Sequence, residues 1–322
     1  MTTLARLALK IQRFELWTAV IVVAVVGILA LVVRARLDGV GATVECFGVW
    51  LYGGGPFGAG ACEDPVQTFF TINQDEAAPI IATMQALPFL VGLILGVSLV
   101  GREIESGTAA TVWTLAASRR RWLVGRLAPV LAILVGLLAF SAITSEILAV
   151  GRSPWIPGGV TFDDVGEHGP GVVARGLAAF GVALTVGAVA GRMLPAVIVS
   201  AALAFVMWVA GDVAFYEWLN SAGREIEVPP NTYDLPGGRI SESFWRTPDG
   251  TRLTDEEAWG MVPEGREQDP DAWLVENLEL VFIGVPGTDY PIWAATETIG
   301  FGIVAVVGLA AVFPIVERRR PS

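Results

Sequence analysis

The chain has 322 residues, of which 53% are hydrophobic and 16% charged, with a net charge of −11 and a mean hydropathy of +0.60. That balance excludes an ordinary soluble globular domain: too few polar residues are present to cover the apolar ones, so lipid must be part of the solvent. The acidity is local, since residues Tyr216 to Ile292 hold 16 acids against 5 arginines, −11 in all, and the other 16 acids and 16 basic residues cancel.

A bilayer core of about 30 Å is crossed by roughly 20 apolar residues in a helix. Six stretches meet that length: Leu16 to Val33, Pro79 to Val100, Leu127 to Val150, Gly171 to Ala190, Leu194 to Phe215, and Trp293 to Val316. The expected fold is therefore an all-α polytopic membrane protein with six transmembrane helices and an insertion before the last. The first apolar run ends at Arg34 without a small-residue cleavage pattern, so a membrane anchor is expected rather than a cleaved signal peptide.

Cys46 and Cys62 are the only two cysteines, and both lie between the first two spans. In an oxidising compartment they would form a disulfide, and otherwise two free thiols. The glycine-rich run Gly53, Gly54, Gly55, Pro56 between them reads as an irregular loop, since no lysine follows to make a phosphate cradle. The fourth and fifth spans form a hairpin turned at Gly191 to Leu194, with Pro195 opening the return helix.

Arg6, Lys10, Arg13, Arg102, Arg119, Arg120, Arg121, Arg126, Arg192, Arg318, Arg319 and Arg320 share one side of a six-span layout, which is 12 of the 21 basic residues. Arg34 and Arg36, close to the first span, dissent. The positive-inside rule then places both termini in the cytoplasm, and the cysteines and acidic segment outside. The outer segment, 216–292, is long enough for a small cap domain, with Trp218, Trp245, Trp259 and Trp273 as candidate core. Thr254 to Met261 and Asp271 to Leu280 read as helices, with Leu274, Leu278 and Val281 at helical spacing.

Ionisable groups at membrane depth are costly and mark function or buried pairing. Glu146, Arg175, Asp212 and Glu297 qualify, either as an ion pair of Arg175 with Glu146 or Glu297, or as a polar vestibule on a transport path. Trp17, Phe205, Met207, Trp208 and Phe301 are candidates for an apolar path or for interface belts. His168 is the only histidine, so neither a histidine-based metal site nor Ser-His-Asp catalysis is expected. The acids at Asp255 to Glu257, Asp269 and Asp271 lack calcium-loop spacing and read as solvated. No catalytic residues, no metal site and no nucleic-acid partner are expected.

Between the second and third spans runs GREIESGTAATVWTLAASRRRWLVGRL, from Gly101 to Leu127. Ser106 or Thr108 can cap a short helix whose apolar stripe is Ala109, Val112, Trp113 and Ala116, followed by arginines. Such a helix either lies on anionic lipid or docks in a groove of a soluble partner. Glu103, Glu105, Gly107, Thr108, Ser118, Arg119, Arg121 and Trp122 give the pattern Glu-x-Glu-x-Gly-Thr, apolar helix, Ser-Arg-x-Arg-Trp. This pattern resembles the permeases of type-2 ABC exporters, and Pro88, Phe89, Gly92 and Gly96 are similar to the actinobacterial ones.

The resemblance implies a permease subunit in a multi-pass bacterial plasma membrane, with no ATPase site of its own. It would pair with a second permease copy and with separate nucleotide-binding ATPase subunits, which bring ATP and Mg. Residues 102–118 would be the coupling helix, with Glu103, Glu105, Gly107, Thr108, Val112, Trp113, Arg119 and Arg121 at the contact. Residues 1–14 would be an amphipathic cytoplasmic helix bracing it, residues 15–215 the first five spans, and 293–322 the last span and tail. The cargo would be a hydrophobic or amphipathic compound such as a drug, lipid or peptide. Two other readings are an ABC-coupled sensor or immunity module, and a membrane-anchored extracellular binding protein.

Overall fold

The computed structural model describes residues 10, 12–47, 60–107, 118–156, 162, 165–167, 169–226, 237–263 and 270–319. Among them are six helices long and apolar enough to cross a membrane. The first span is α1 (Arg13–Gly39). A lead-in helix α2 (Gly60–Ile72) joins through a π-helical turn (Asn73–Ala77) to α3 (Ala78–Glu105), the second span. Then follow α4 (Arg119–Arg152), α5 (Pro170–Ala190) and α6 (Met193–Ala222), and the sixth span α9 (Tyr290–Arg318) closes the bundle. Helices close their backbone hydrogen bonds internally, which a lipid core requires.

The second and fourth spans are the most enclosed, and small residues let them meet. A Cβ on Gly96 would lie 2.6 Å from the carbonyl oxygen of Phe180 and 2.8 Å from the Ala183 side chain. The fourth and sixth spans cross the same way, where a Cβ on Gly308 would lie 2.7 Å from the carbonyl carbon of Gly181. Apolar side chains gain little by leaving lipid for one another, so close backbone approach supplies much of the packing. Gly96→Leu is therefore expected to separate the second and fourth spans and cost about 1–3 kcal/mol or more. Thermal unfolding in detergent measures it, with Gly136→Leu, where a Cβ meets nothing within 4 Å, as the control.

The disulfide between Cys46 and Cys62 is formed, with Cα atoms 5.3 Å apart across a separation of 16 residues. A loop of that length contributes about 3 kcal/mol in the chain-entropy account. Beside it Phe47 packs on Phe69 and Trp155, with ring centroids 4.7 and 5.0 Å away.

The fifth helix continues to Ala222 rather than stopping at Phe215, so the inserted domain begins at Gly223. It contains more than helices. Strands β1 (Arg224–Ile226), β2 (Arg239–Arg246), β3 (Arg252–Leu253) and β4 (Glu279–Val285) form an antiparallel sheet in the order β1-β4-β2-β3. The two expected helices are present as α7 (Asp255–Gly260) and α8 (Pro270–Asn277), and Thr254 with Glu257 makes a capping box on α7. However, α8 ends before Leu278, and Val281 sits in β4, opposite Phe244 of β2. Its helical spacing from Leu274 is fortuitous. Trp245, Ala258, Leu274 and Leu278 form the core, Trp259 is exposed, and Trp218 packs instead at the ends of the spans.

Two carboxyls of this domain are held below their ordinary range. Asp249 accepts hydrogen bonds from Thr247 and Thr251, and Glu257 from the backbone and hydroxyl of Thr254. Groups with depressed folded values bind protons less readily folded than unfolded. Their stabilisation is complete above the ordinary carboxylate range and is lost as pH falls through the folded values. Thr247→Val is expected to raise the Asp249 value toward normal, read by carboxyl-selective NMR titration.

Candidate functional site

The start of α1, the ends of α3, α5 and α9, and the beginnings of α4 and α6 all meet at the end of the bundle that carries the termini. Here lie the residues that flank the expected coupling segment. The segment's centre, 108–117, including Thr108, Val112 and Trp113, is outside the described residues, as are residues 1–9. Both of its shoulders are described.

On the entering side α3 ends at Glu105, and the turn that follows it carries Gly107, whose φ of +70° is left-handed and suits glycine. Glu105 is exposed and its carboxylate accepts the backbone N–H of Met193 at 2.8 Å, capping the start of the fifth span. Arg102 and Glu15 pair at 3.0 Å between the second and first spans. Glu103 is turned inward: its carboxylate pairs with Arg126 of the third span, both side chains being about 95% buried. The Arg126 guanidinium lies 5.2 Å from the ring of buried Trp122. Glu103 thus braces two spans, and does not offer a surface to a partner.

On the leaving side Ser118 caps α4, its hydroxyl accepting the N–H of Arg121 at 3.1 Å. Arg121 and Arg120 are exposed, and Arg120 lies 5.7 Å over the Phe313 ring. Arg119 reaches across to the sixth span and donates to the carbonyls of Val316, Glu317 and Arg319 at 3.2, 2.9 and 2.7 Å. Arg319 in turn donates to the carbonyls of Ala188 and Val189 at the end of the fourth span. Each guanidinium neutralises the partial negative charge at a helix C-terminus. The arginine pattern marks these residues as a cluster, but their targets lie more than a hundred positions away, so the clamps are not visible in it.

The opposite, sheet-bearing end holds a second buried pair of charges. Arg175 and Glu297 form an ion pair between the fourth and sixth spans, with Nε 2.5 Å from Oε1 and both side chains about 95% buried. Gly166 makes room for it, since a Cβ there would strike the guanidinium. Of the two partners open to Arg175, Glu297 is the one that meets it in this way. Glu146 is half-buried on the third span, and Asp212 is exposed on the fifth, within the Coulombic reach of Arg175. Buried Glu167, which composition did not single out, accepts hydrogen bonds from Gln85 and Ser145.

A groove of about 390 Å³ separates the fifth and sixth spans beside this pair, and Met207 and Phe301 line it. Phe205 and Trp208 line a smaller one, of about 160 Å³, between the second and fifth spans. Trp17 is exposed on the first span. His168 and Asp269 lie outside the described residues. Asp255 accepts the Trp245 indole N–H at 3.0 Å, and Glu257 caps α7, so these acids serve the fold. Among the described residues no three His, Cys, Asp or Glu side chains are placed to hold a metal ion.

Comparison with known families gives a match over residues 17–218 to the one described as ABC-2 membrane transporter related. That is more than half of the chain and takes in the first five spans and both shoulders of the 108–117 segment. No curated protein and no solved structure matches.

Proposed function

Since the chain belongs to the ABC-2 membrane transporter related family, we propose that it is the permease of an ATP-driven exporter. It moves a hydrophobic or amphipathic compound outward, paired with separate ATPase subunits and a second permease copy. The terminal end faces the cytoplasm and the sheet-bearing domain faces outside, as the arginine distribution favours and as the Cys46–Cys62 disulfide favours too.

The observation that carries this reading is the tie between residues 102–119 and the bundle. Glu105 holds the fifth span, Glu103 the third, Arg102 the first and Arg119 the sixth. A force applied to the segment between them acts on four spans besides the second. A docked ATPase that closes on ATP would bias the paired permeases between two arrangements through its differential nucleotide affinity. Glu105, Gly107, Thr108, Val112, Trp113, Arg119 and Arg121 are the proposed coupling residues, and Glu103 positions them.

Affinity purification of the tagged full chain from its native membrane tests this. An ATPase is expected to copurify with ATP hydrolysis, and Thr108→Arg is expected to release it while the chain stays folded in the membrane. A chain that purifies with no ATPase overturns the proposal. The outer domain, with a sheet and core of its own, favours a second reading, in which an ABC-coupled complex senses an external ligand. ATP hydrolysis that responds to ligand without net movement of any compound would select it.

A further inference from the structure

We infer that the inserted domain is a clasp on the fifth span: the pairing of β1 with β4 holds the sheet-side half of that span against the sixth, and opening the pairing lets it swing away. The inference goes beyond the permease reading and does not depend on it.

Burial of the fifth span is uneven along its length. Ala196, Ser200 and Ala204, one turn apart, are buried. Ala196 clusters with Val97 and Ala183, and Ala204 with Phe89 and Ala178, so this half is seated on the second and fourth spans. From Phe205 to Ala214 no residue is buried, although Met207, Trp208 and Gly211 continue the same stripe. Grooves flank this stretch on both sides, one toward the sixth span and one toward the second. Burial resumes at Phe215 and Leu219, beside Tyr290 and Trp293 of the sixth span and Val285 of β4. The fifth span is thus seated at its two ends and open between them.

The sheet supplies the second seat. Only Gly223 separates α6 from β1, and β4 leads through a single short turn into α9. These two strands are neighbours, with Arg224 opposite Gly284 and Ile226 opposite Phe282. The strand that continues the fifth span is therefore hydrogen-bonded to the strand that starts the sixth. Arg224 also pairs with Asp289, directly before α9, at 2.8 Å. Elsewhere the two spans touch little. The ring contact of Phe215 with Trp293, at 5.2 Å, is apolar and gains little over contact with lipid. The ladder is directional and fixed in register, which makes it the stronger tie. Gly284 shows how closely it is fitted: a Cβ there would lie 2.5 Å from the carbonyl oxygen of Arg239 on β2 and 3.0 Å from Ile226 on β1.

The domain outside the bundle therefore acts on the membrane part through one span. A ligand that favours the opened sheet raises the population of the displaced span by its differential affinity for the two states, and displacing the span opens the sheet in return. With three residues at the edge of the sheet, β1 is the strand that lets go.

The test uses the full chain in lipid nanodiscs, with nitroxide labels on added cysteines and distances read by double electron–electron resonance. Cys46 and Cys62 are joined and take no label. Val213→Cys with Ile299→Cys reports the sheet-side halves of the two spans, and Ile198→Cys with Ala310→Cys the opposite halves, all four positions being exposed. Gly284→Val forces β4 off its neighbours. Should it not fold, Arg224→Gly, Glu225→Gly and Ile226→Gly together loosen β1 alone. A single narrow sheet-side distance is expected in the parent chain. In either variant it should give way to a longer and broader distribution while the other distance stays unchanged. A sheet-side distance that stays as it was, or an opposite one that broadens equally, overturns the inference. Neither ATPase nor cargo enters this assay, so its failure leaves the permease reading standing, and failure to find an ATPase leaves the clasp standing.

Discussion

Glu103→Gln is expected to lower stability by about 3–5 kcal/mol, because it leaves the Arg126 guanidinium buried without its counter-charge. The size of the effect separates this pair from its neighbour. Arg102 with Glu15 makes a similar contact, but the Arg102 side chain is 52% exposed, and pairs of that kind contribute about 0–1 kcal/mol. Glu103 and Arg126 are about 95% buried, so the charge left behind has no water to turn to. Denaturation in mild detergent measures the loss. Restoring the pair in the opposite sense, Glu103→Arg with Arg126→Glu, should recover part of it. If Glu103→Gln is as stable as the parent chain, the inward-facing pair is not what holds the second and third spans together.

Arg175→Met should be comparably damaging, also about 3–5 kcal/mol, for the same reason applied to Glu297. The informative variant is the double one, Arg175→Met with Glu297→Leu. Replacing a whole buried pair by apolar side chains of similar size is often neutral or stabilising. The double variant is therefore expected to regain the stability that the single one loses. Its transport then distinguishes two roles. A pair that only joins the fourth and sixth spans can be replaced without loss of transport. A pair that also shapes the groove for cargo cannot, and the double variant would be stable and inactive. Stability and transport measured on the same preparation decide between them.

The features legible in the sequence were those governed by local rules. Span number follows from run length, and Gly191 ends the fourth span in the left-handed conformation its position calls for. Thr254 and Glu257 announce α7 by their spacing alone. The sheet was hidden because its strands are short and β2 carries an irregularity between Ile240 and Glu242. That bulge breaks the alternation by which a strand is recognised. In β4, Leu278 and Val281 followed Leu274 at intervals that suit a helix equally well. At the site, the shoulder residues were identifiable from their pattern. The inward turn of Glu103 was not, since which face of a helix end is buried depends on the spans around it. The pairing of Arg175 with Glu297 was one that depth allowed, and packing of the fourth and sixth spans brings it about.

The clamp of Arg319 on the end of the fourth span has a consequence for how the protein is made. Domains and helices emerge from the ribosome in order, N-terminal first. The fourth span therefore waits, its last carbonyls unanswered, until the sixth has been inserted and the tail synthesised. Arg119, made earlier still, waits for the same tail. The terminal end of the bundle thus cannot be finished piecemeal, and a chain released early would reach the membrane with that face unassembled.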